Sequence, residues 1–400
     1  MNPRFQNSFQ EATRLTREGR LNEATALIQQ LLNGNVPDVS PSDPPFSTRP
    51  DRQREPLILE GVAEVIDADD EAANQDDYDA DCGCHSPGQQ TSSAPLADWA
   101  ERLRQQLGQH MPGGLNQTRS EPVPDGAEFL YRSYQGRTYK LYVPSSYRQD
   151  QPLPLIVMLH GCTQDPDDFA AGTKMNHLAE QHGLLIAYPL QTTSANPTKC
   201  WNWFNRTDQQ REQGEPALIA GITRDIIDSY SVDRSKVYVA GLSAGGAMAA
   251  IMAASYPDLY AAVGVHSGLA AGAASDLPSA LAAMRQGGNV GSHQRSAIPV
   301  IVFHGDRDTT VSLRNGEQVI ESMVASGATN TTEHAKAAGG RGYTRICHRN
   351  NQDQVIAEFW QVDGAGHAWM GGSPTGSYTD PTGPDASAEM IRFFLEHPRS

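Results

Sequence analysis

Three short stretches in the later part of the chain carry residue types that together could perform nucleophilic acyl transfer. Ser243 sits in Gly241-Leu242-Ser243-Ala244-Gly245, after the apolar run Val237–Ala240 and before an Ala/Met-rich segment. A nucleophile on a sharp strand-to-helix turn needs small neighbours because the backbone crowds it, and Gly241, Gly245 and Gly246 provide that room. Asp308 lies in His304-Gly305-Asp306-Arg307-Asp308, after the apolar run Val300–Phe303. A carboxylate there could fix an imidazole tautomer and stabilise the imidazolium formed during attack. The His-Gly-x-x-Asp spacing selects Asp308, and Asp306 is expected to cap or brace the loop. His367, in Gly364-Ala365-Gly366-His367-Ala368-Trp369, has the short, flexible flanks a general base needs. His160 and His304, each before a strand-end glycine, read instead as hydrogen-bonded structural histidines.

The elements that must position these residues are legible from about residue 126 onward. EFLYRSYQGRTYKLYVP reads as a hairpin, and PLIVMLHG, LLIAYP, VYVAGLS, AAVGVHSG, PVIVFHGD and VIAEFWQV read as buried strands. Helix-like stretches lie between them, from Phe169 to Gln181, Pro216 to Ser229, Ala244 to Ser255 and Gly316 to Val324. Buried apolar strands alternating with helices predict an α/β fold, a mostly parallel sheet with helices on both faces. Sites in such sheets gather at the carboxyl ends of strands. The chain order Ser243, Asp308, His367 is that of the α/β-hydrolases. In that fold the loop His160-Gly161-Cys162-Thr163-Gln164 would supply an oxyanion-hole N–H. This predicts backbone donors from Cys162 and Ala244, of a kind worth roughly 2.7–4 kcal/mol each in the transition state. The Cys162 thiol need not take part.

Cys200-Trp201-Asn202-Trp203-Phe204 places three aromatics in four residues, in a chain with only 7% aromatics. Two readings are open: a plug in the core, or an apolar wall of the substrate cleft formed by Trp201 and Trp203 with Trp369 nearby. A Cys162–Cys200 bridge is conceivable, and a reducing compartment would disfavour it.

Taken together, HGCTQ, CWNWF, GLSAGGAM, HGDRDTTV and GAGHAW resemble the esterase family named for poly(3-hydroxybutyrate) depolymerases, whose relatives include feruloyl and acetylxylan esterases. The resemblance covers about residues 126–397. It implies Ser243 as nucleophile, Asp308 as orienting acid, His367 as general base, Cys162 and Ala244 as oxyanion donors, and no metal or cofactor. The expected activity is serine-dependent hydrolysis of carboxylic esters, on poly- or oligo-hydroxyalkanoates. The alternatives are a feruloyl- or acetylxylan-type carbohydrate esterase, a peptidase on the same fold, and a non-catalytic granule-associated binding protein.

The chain has 400 residues and a formal charge of −16. This excludes nucleic-acid binding driven by a net basic field and disfavours docking on anionic membranes. Residues 1–125 hold 21 acids against 10 bases, a net of −11, so the remainder carries only −5. Residues 1–35 are expected to form an amphipathic helical hairpin. Its apolar face, within residues 8–33, suits self-association or granule contact. Residues 36–93 read as an acidic Pro/Asp/Ser-rich linker, too polar to fold. Residues 94–125 read as a connector with a short helix from Leu96 to Leu107, and residues 126–400 as the catalytic domain. Cys82, Cys84 and His85 lack a second ligand pair at zinc spacing. The start lacks an apolar signal-peptide core, and no stretch is long enough to span a membrane. A cytoplasmic location is the expectation.

Overall fold

A computed structural model of the chain describes residues 122–288, 298–324 and 327–399. The hairpin of residues 1–35, the linker 36–93, the helix from Leu96 to Leu107 and the Cys82/Cys84/His85 cluster lie outside the described residues. The strands are β1 (Glu128–Tyr134), β2 (Arg137–Val143), β3 (Leu153–Leu159), β4 (Leu185–Pro189), β5 (Val232–Leu242), β6 (Ala262–His266), β7 (Val300–Gly305), β8 (Thr329–Lys336), β9 (Gly342–Arg349), β10 (Val355–Val362), β11 (Trp369–Met370) and β12 (Thr379–Asp380). The helices are α1 (Pro166–Thr173), α2 (Met175–His182), α3 (Gly214–Ser229), α4 (Ala244–Ser255), α5 (Leu277–Gln286), α6 (Leu313–Met323) and α7 (Ala386–Glu396).

Ten strands form one sheet in the order β1-β2-β4-β3-β5-β6-β7-β10-β9-β8, and β11 pairs with β12 separately. The six strands from β4 to β10 in that order are mutually parallel. The outer strands β1, β2, β9 and β8 pair antiparallel. Alternation along β3 shows why both faces are covered. Leu155, Val157 and Leu159 belong to one apolar cluster with residues of α3, α4 and α6, while Ile156 and Met158 belong to another with residues of α1, α2 and α7. Each such side chain contributes roughly 1.5–3 kcal/mol on burial, so neither face can be left to solvent.

The α/β-hydrolase arrangement expected from the sequence is the one observed. Two departures have physical causes. The single helix expected from Phe169 to Gln181 is two, because Lys174 takes a left-handed conformation (φ 57°, ψ 20°) and serves as C-cap of α1 and N-cap of α2. Strands β8 and β9 and helices α5 and α7 are not among the elements read from the sequence. Every residue of β8 except Ala335 is exposed, so no apolar alternation marks it.

Parallel pairing carries the carboxyl ends of β3, β5, β7 and β10 to the same edge of the sheet. The segments that follow them hold Cys162, Ser243, Asp308 and His367.

Candidate active site

Ser243 stands between β5 and α4 at φ 57° and ψ −118°. Positive φ is costly for a side chain with a Cβ, and such strain gathers at functional sites. The turn is held from both sides. The Ser243 amide donates to the His266 carbonyl (2.9 Å), and a Cβ on Gly245 would sit 2.0 Å from the Leu159 carbonyl oxygen. A Cβ on Gly241 would meet the Gly245 backbone at 2.4 Å. Both glycines are therefore required by close backbone approach.

Asp308 and His367 meet across two loops. His367 Nδ1 lies 2.7 Å from Asp308 Oδ2, and both side chains are nearly inaccessible. The other carboxylate oxygen, Oδ1, accepts from the amides of Thr310 (2.9 Å) and Val311 (2.8 Å). Burial pushes the Asp308 carboxyl up, but His367, His304 and the Val311 amide outweigh it and hold the group below its ordinary value. A carboxylate that accepts Nδ1–H leaves the His367 Nε2 lone pair free to take a proton. Asp306 braces the same corner: its Oδ1 accepts from the Gly364 amide at 2.7 Å. The Arg307 amide donates to the Ala365 carbonyl at 2.9 Å.

Two further histidines are structural. His304 donates from Nε2 to the Val311 carbonyl (2.8 Å), and burial lowers its pKa. His160 donates from Nδ1 to the Gly161 carbonyl (2.8 Å) and accepts the Gln191 amide at Nε2 (3.1 Å). Burial lowers its pKa to about 4.

Ser243, Ala244, Cys162 and His367 line one cleft, together with Trp203, Phe204, Leu269, Met284, Val311 and Tyr378. The space is about 600 Å³ including its open mouth. Cys162 and Ala244, the two residues expected to offer amide donors, thus border the same space as Ser243. Cys162 and Cys200 form a disulfide, a pairing that the sequence left open. A parallel tie joins the same loops, from the Thr163 amide to the Thr198 carbonyl (2.7 Å).

The aromatic expectations divide. Trp203 lines the cleft, but Trp201 and Trp369 do not. Trp201 is fully buried and packs on His160 with ring centroids 5.8 Å apart, so it is the core plug of the two readings. Trp369 lies in the opposite core layer, stacked on His266 at 4.9 Å, with Nε1 donating to Ser387 Oγ (3.0 Å). Strand β11 places its indole in that layer. Tyr378 was not anticipated. It takes a left-handed conformation (φ 51°), and its hydroxyl lies 3.1 Å from Thr163 Oγ1 in the loop that follows β3. Met284 and Ala280, on the unanticipated α5, also face the cleft.

The family model described as Esterase PHB depolymerase matches residues 137–345, a stretch that includes Ser243 and Asp308 and ends before His367. The chain belongs to that family. Within the PHB depolymerase esterases it resembles the poly(3-hydroxyalkanoate) depolymerase C of Paucimonas lemoignei, at 30% identity over 56% of this chain and 57% of that protein. It also resembles feruloyl esterase B of Thermothelomyces thermophilus, at 28% identity over 51% of this chain and 75% of that protein. The chain spans about half the length of the two PHA and PHB depolymerases it matches (57% and 48%). The solved acetyl xylan esterase from Aspergillus awamori matches 67% of this chain and 99% of its own, with a TM-score of 0.53 and 20% identity. That likeness concerns the fold.

Proposed function

We propose that the chain is a serine carboxylic-ester hydrolase acting through an acyl-enzyme. The observation that carries this is the Asp308–His367 pair, 2.7 Å apart, facing the cleft in which Ser243 is held on its strained turn. His367 Nε2 takes the Ser243 proton as Oγ attacks the ester carbonyl. The tetrahedral oxyanion is received by the amides of Cys162 and Ala244. The protonated imidazole then gives its proton to the departing alcohol, and water reverses the sequence to release the acid. Asp308 stays ionised and holds the imidazole in the productive tautomer.

The preferred substrates are poly- or oligo-hydroxyalkanoate esters, in line with the family match and the depolymerase relatives. The feruloyl and acetylxylan esterase relatives support a carbohydrate-ester reading as the alternative. The apolar lining by Trp203, Phe204, Leu269, Met284 and Val311 suits an acyl chain in either case. Hydrolysis of hydroxybutyrate oligomers, amorphous hydroxybutyrate granules and methyl ferulate, measured side by side, separates the two. Granule contact or self-association through residues 8–33 belongs to the same proposal and is tested by repeating the granule assay without residues 1–93.

Ser243→Ala is expected to lower kcat on p-nitrophenyl butyrate by roughly 10⁴-fold or more and to abolish fluorophosphonate labelling. Retained wild-type turnover overturns the assignment, and absence of labelling in the folded wild type favours a binding protein. Among the described residues no helix is long and apolar enough to cross a membrane. Cytoplasmic residence would require the Cys162–Cys200 bridge to persist against the thiol pool. Thiol titration of protein taken from separated cell fractions tests that directly.

A further inference from the structure

Behind the aromatic wall of the cleft lies a carboxylate that ester hydrolysis does not use. Glu215, in the first turn of α3, is only 6% exposed. Its Oε2 accepts from the Asn202 amide (2.7 Å), and its Oε1 accepts from Asn202 Nδ2 (2.8 Å) and from Gln191 Nε2. Gln191, itself fully buried, is a junction. Its Nε2 also donates to the Cys200 carbonyl (2.9 Å), its Oε1 accepts from the Arg137 guanidinium (2.5 Å), and its amide donates to His160 Nε2. His160 in turn holds the Gly161 carbonyl, one residue before Cys162. One buried carboxylate therefore reaches both loops of the cleft. It grips the wall at Asn202, between Trp201 and Trp203, and it reaches the oxyanion loop through Gln191 and His160.

We infer that Glu215 is a positioning residue whose carboxylate holds the aromatic wall and the oxyanion loop in register around Ser243, so that acyl-group binding depends on its charge. The inference rests on the ester-hydrolase reading of the cleft. Three N–H donors converge on the two oxygens, and among the described residues no acceptor is aimed at them. A proton on either oxygen would face a donor and displace one of those bonds. The N-terminus of α3 also favours the anion. Burial acts in the opposite direction and is the largest influence, reinforced by Asp208, whose Oδ1 accepts the Glu215 amide at 2.8 Å. The carboxyl is pushed up to about 7. The other ionisable groups of this network are Asp208 on the loop before α3, Arg137 on β2 across Gln191, and His160, which burial keeps neutral in this range.

The test compares wild type with Glu215→Gln on p-nitrophenyl butyrate from pH 5 to 9. At pH 8 the variant is expected to raise KM about 5–10-fold with a smaller change in kcat, since a donor then meets a donor in the wall. The ratio of wild-type to variant kcat/KM should fall from about 5–10 at pH 8 towards 1 near pH 5, as the Glu215 carboxylate takes up a proton. Tryptophan fluorescence gives a second readout that needs no turnover. Ser243→Ala protein should show a transition near pH 7 that the double variant with Glu215→Gln lacks. If Glu215→Gln does not fold, Asn202→Ala removes one donor, keeps the charge and should raise KM at pH 8. Wild-type KM in Glu215→Gln, a wild-type to variant ratio that does not change with pH, unchanged KM in Asn202→Ala, or a fluorescence transition that survives in the double variant, each overturns the inference. Full activity in Ser243→Ala would instead overturn the ester reading, and the fluorescence titration would still judge Glu215.

Discussion

At the scale of single residues, the site depends on how Asp308 divides its two oxygens. One holds its own loop through the Thr310 and Val311 amides, and the other holds His367. Asp308→Asn keeps the first function in part, because the amide oxygen can still accept. It spoils the second, because an amide N–H facing Nδ1 favours the wrong imidazole tautomer. The variant is expected to fold with near-normal far-UV circular dichroism and to lose on the order of 10³–10⁴ in kcat. A loss below tenfold would show that His367 does not need this partner. The types and spacing of Ser243, Asp308 and His367 were legible in the sequence because each follows an apolar run and has a glycine within three residues. Tyr378 was not, because its place over the cleft comes from a hydroxyl contact to Thr163, far away in the chain. Trp201 and Trp203 show the same limit more sharply. Two indoles two residues apart are indistinguishable by type, yet one fills the core and the other lines the cleft.

At the scale of elements, the cleft is two loops clamped together. The loop of residues 161–164 and that of residues 196–204 are joined by the Cys162–Cys200 disulfide and the Thr163–Thr198 hydrogen bond. The bridge closes a segment of 38 residues. Its removal in Cys162→Ser/Cys200→Ser should lower unfolding stability by about 2–4 kcal/mol in urea titrations. The Cys162 amide persists in that variant, so kcat should fall by roughly tenfold through loss of placement rather than of the donor. Unchanged kcat would mean that the remaining hydrogen bond suffices. Elements built on a continuous apolar run, such as β3, β5, β7 and α4, could be read from the chain. Strand β8 could not, because a strand exposed on both faces has no alternation to display. The division of α1 from α2 was hidden for a different reason. Lys174 adopts left-handed geometry without being glycine, so composition marks no break.

At the scale of the whole molecule, buried ionisable groups couple the fold to pH. Glu215 rises from an ordinary 4.5 to about 7 on folding. The folded chain therefore binds a proton that the unfolded chain releases, and this contribution is complete below pH 4.5 and lost as pH rises through 7. The shift corresponds to roughly 3 kcal/mol. His160 works in the opposite sense. Its value falls to about 4, so its contribution is present above pH 6.5 and lost as pH falls through 4. The two slopes offset one another between about pH 4.5 and 6.5. Glu215→Gln removes one of them, so its urea midpoint should rise more steeply over that interval than the wild type's, while parallel curves would refute the assignment. By itself the sequence determined the sheet interior, the chain order of Ser243, Asp308 and His367 and the family, because buried strands and tight turns leave local signatures in residue type. Only the tertiary structure decided which tryptophan lines the cleft, that Cys162 and Cys200 join, and that Glu215 stands behind both loops. Those facts depend on which segments of a folded chain meet in space, and no local pattern of apolar and polar residues encodes that meeting.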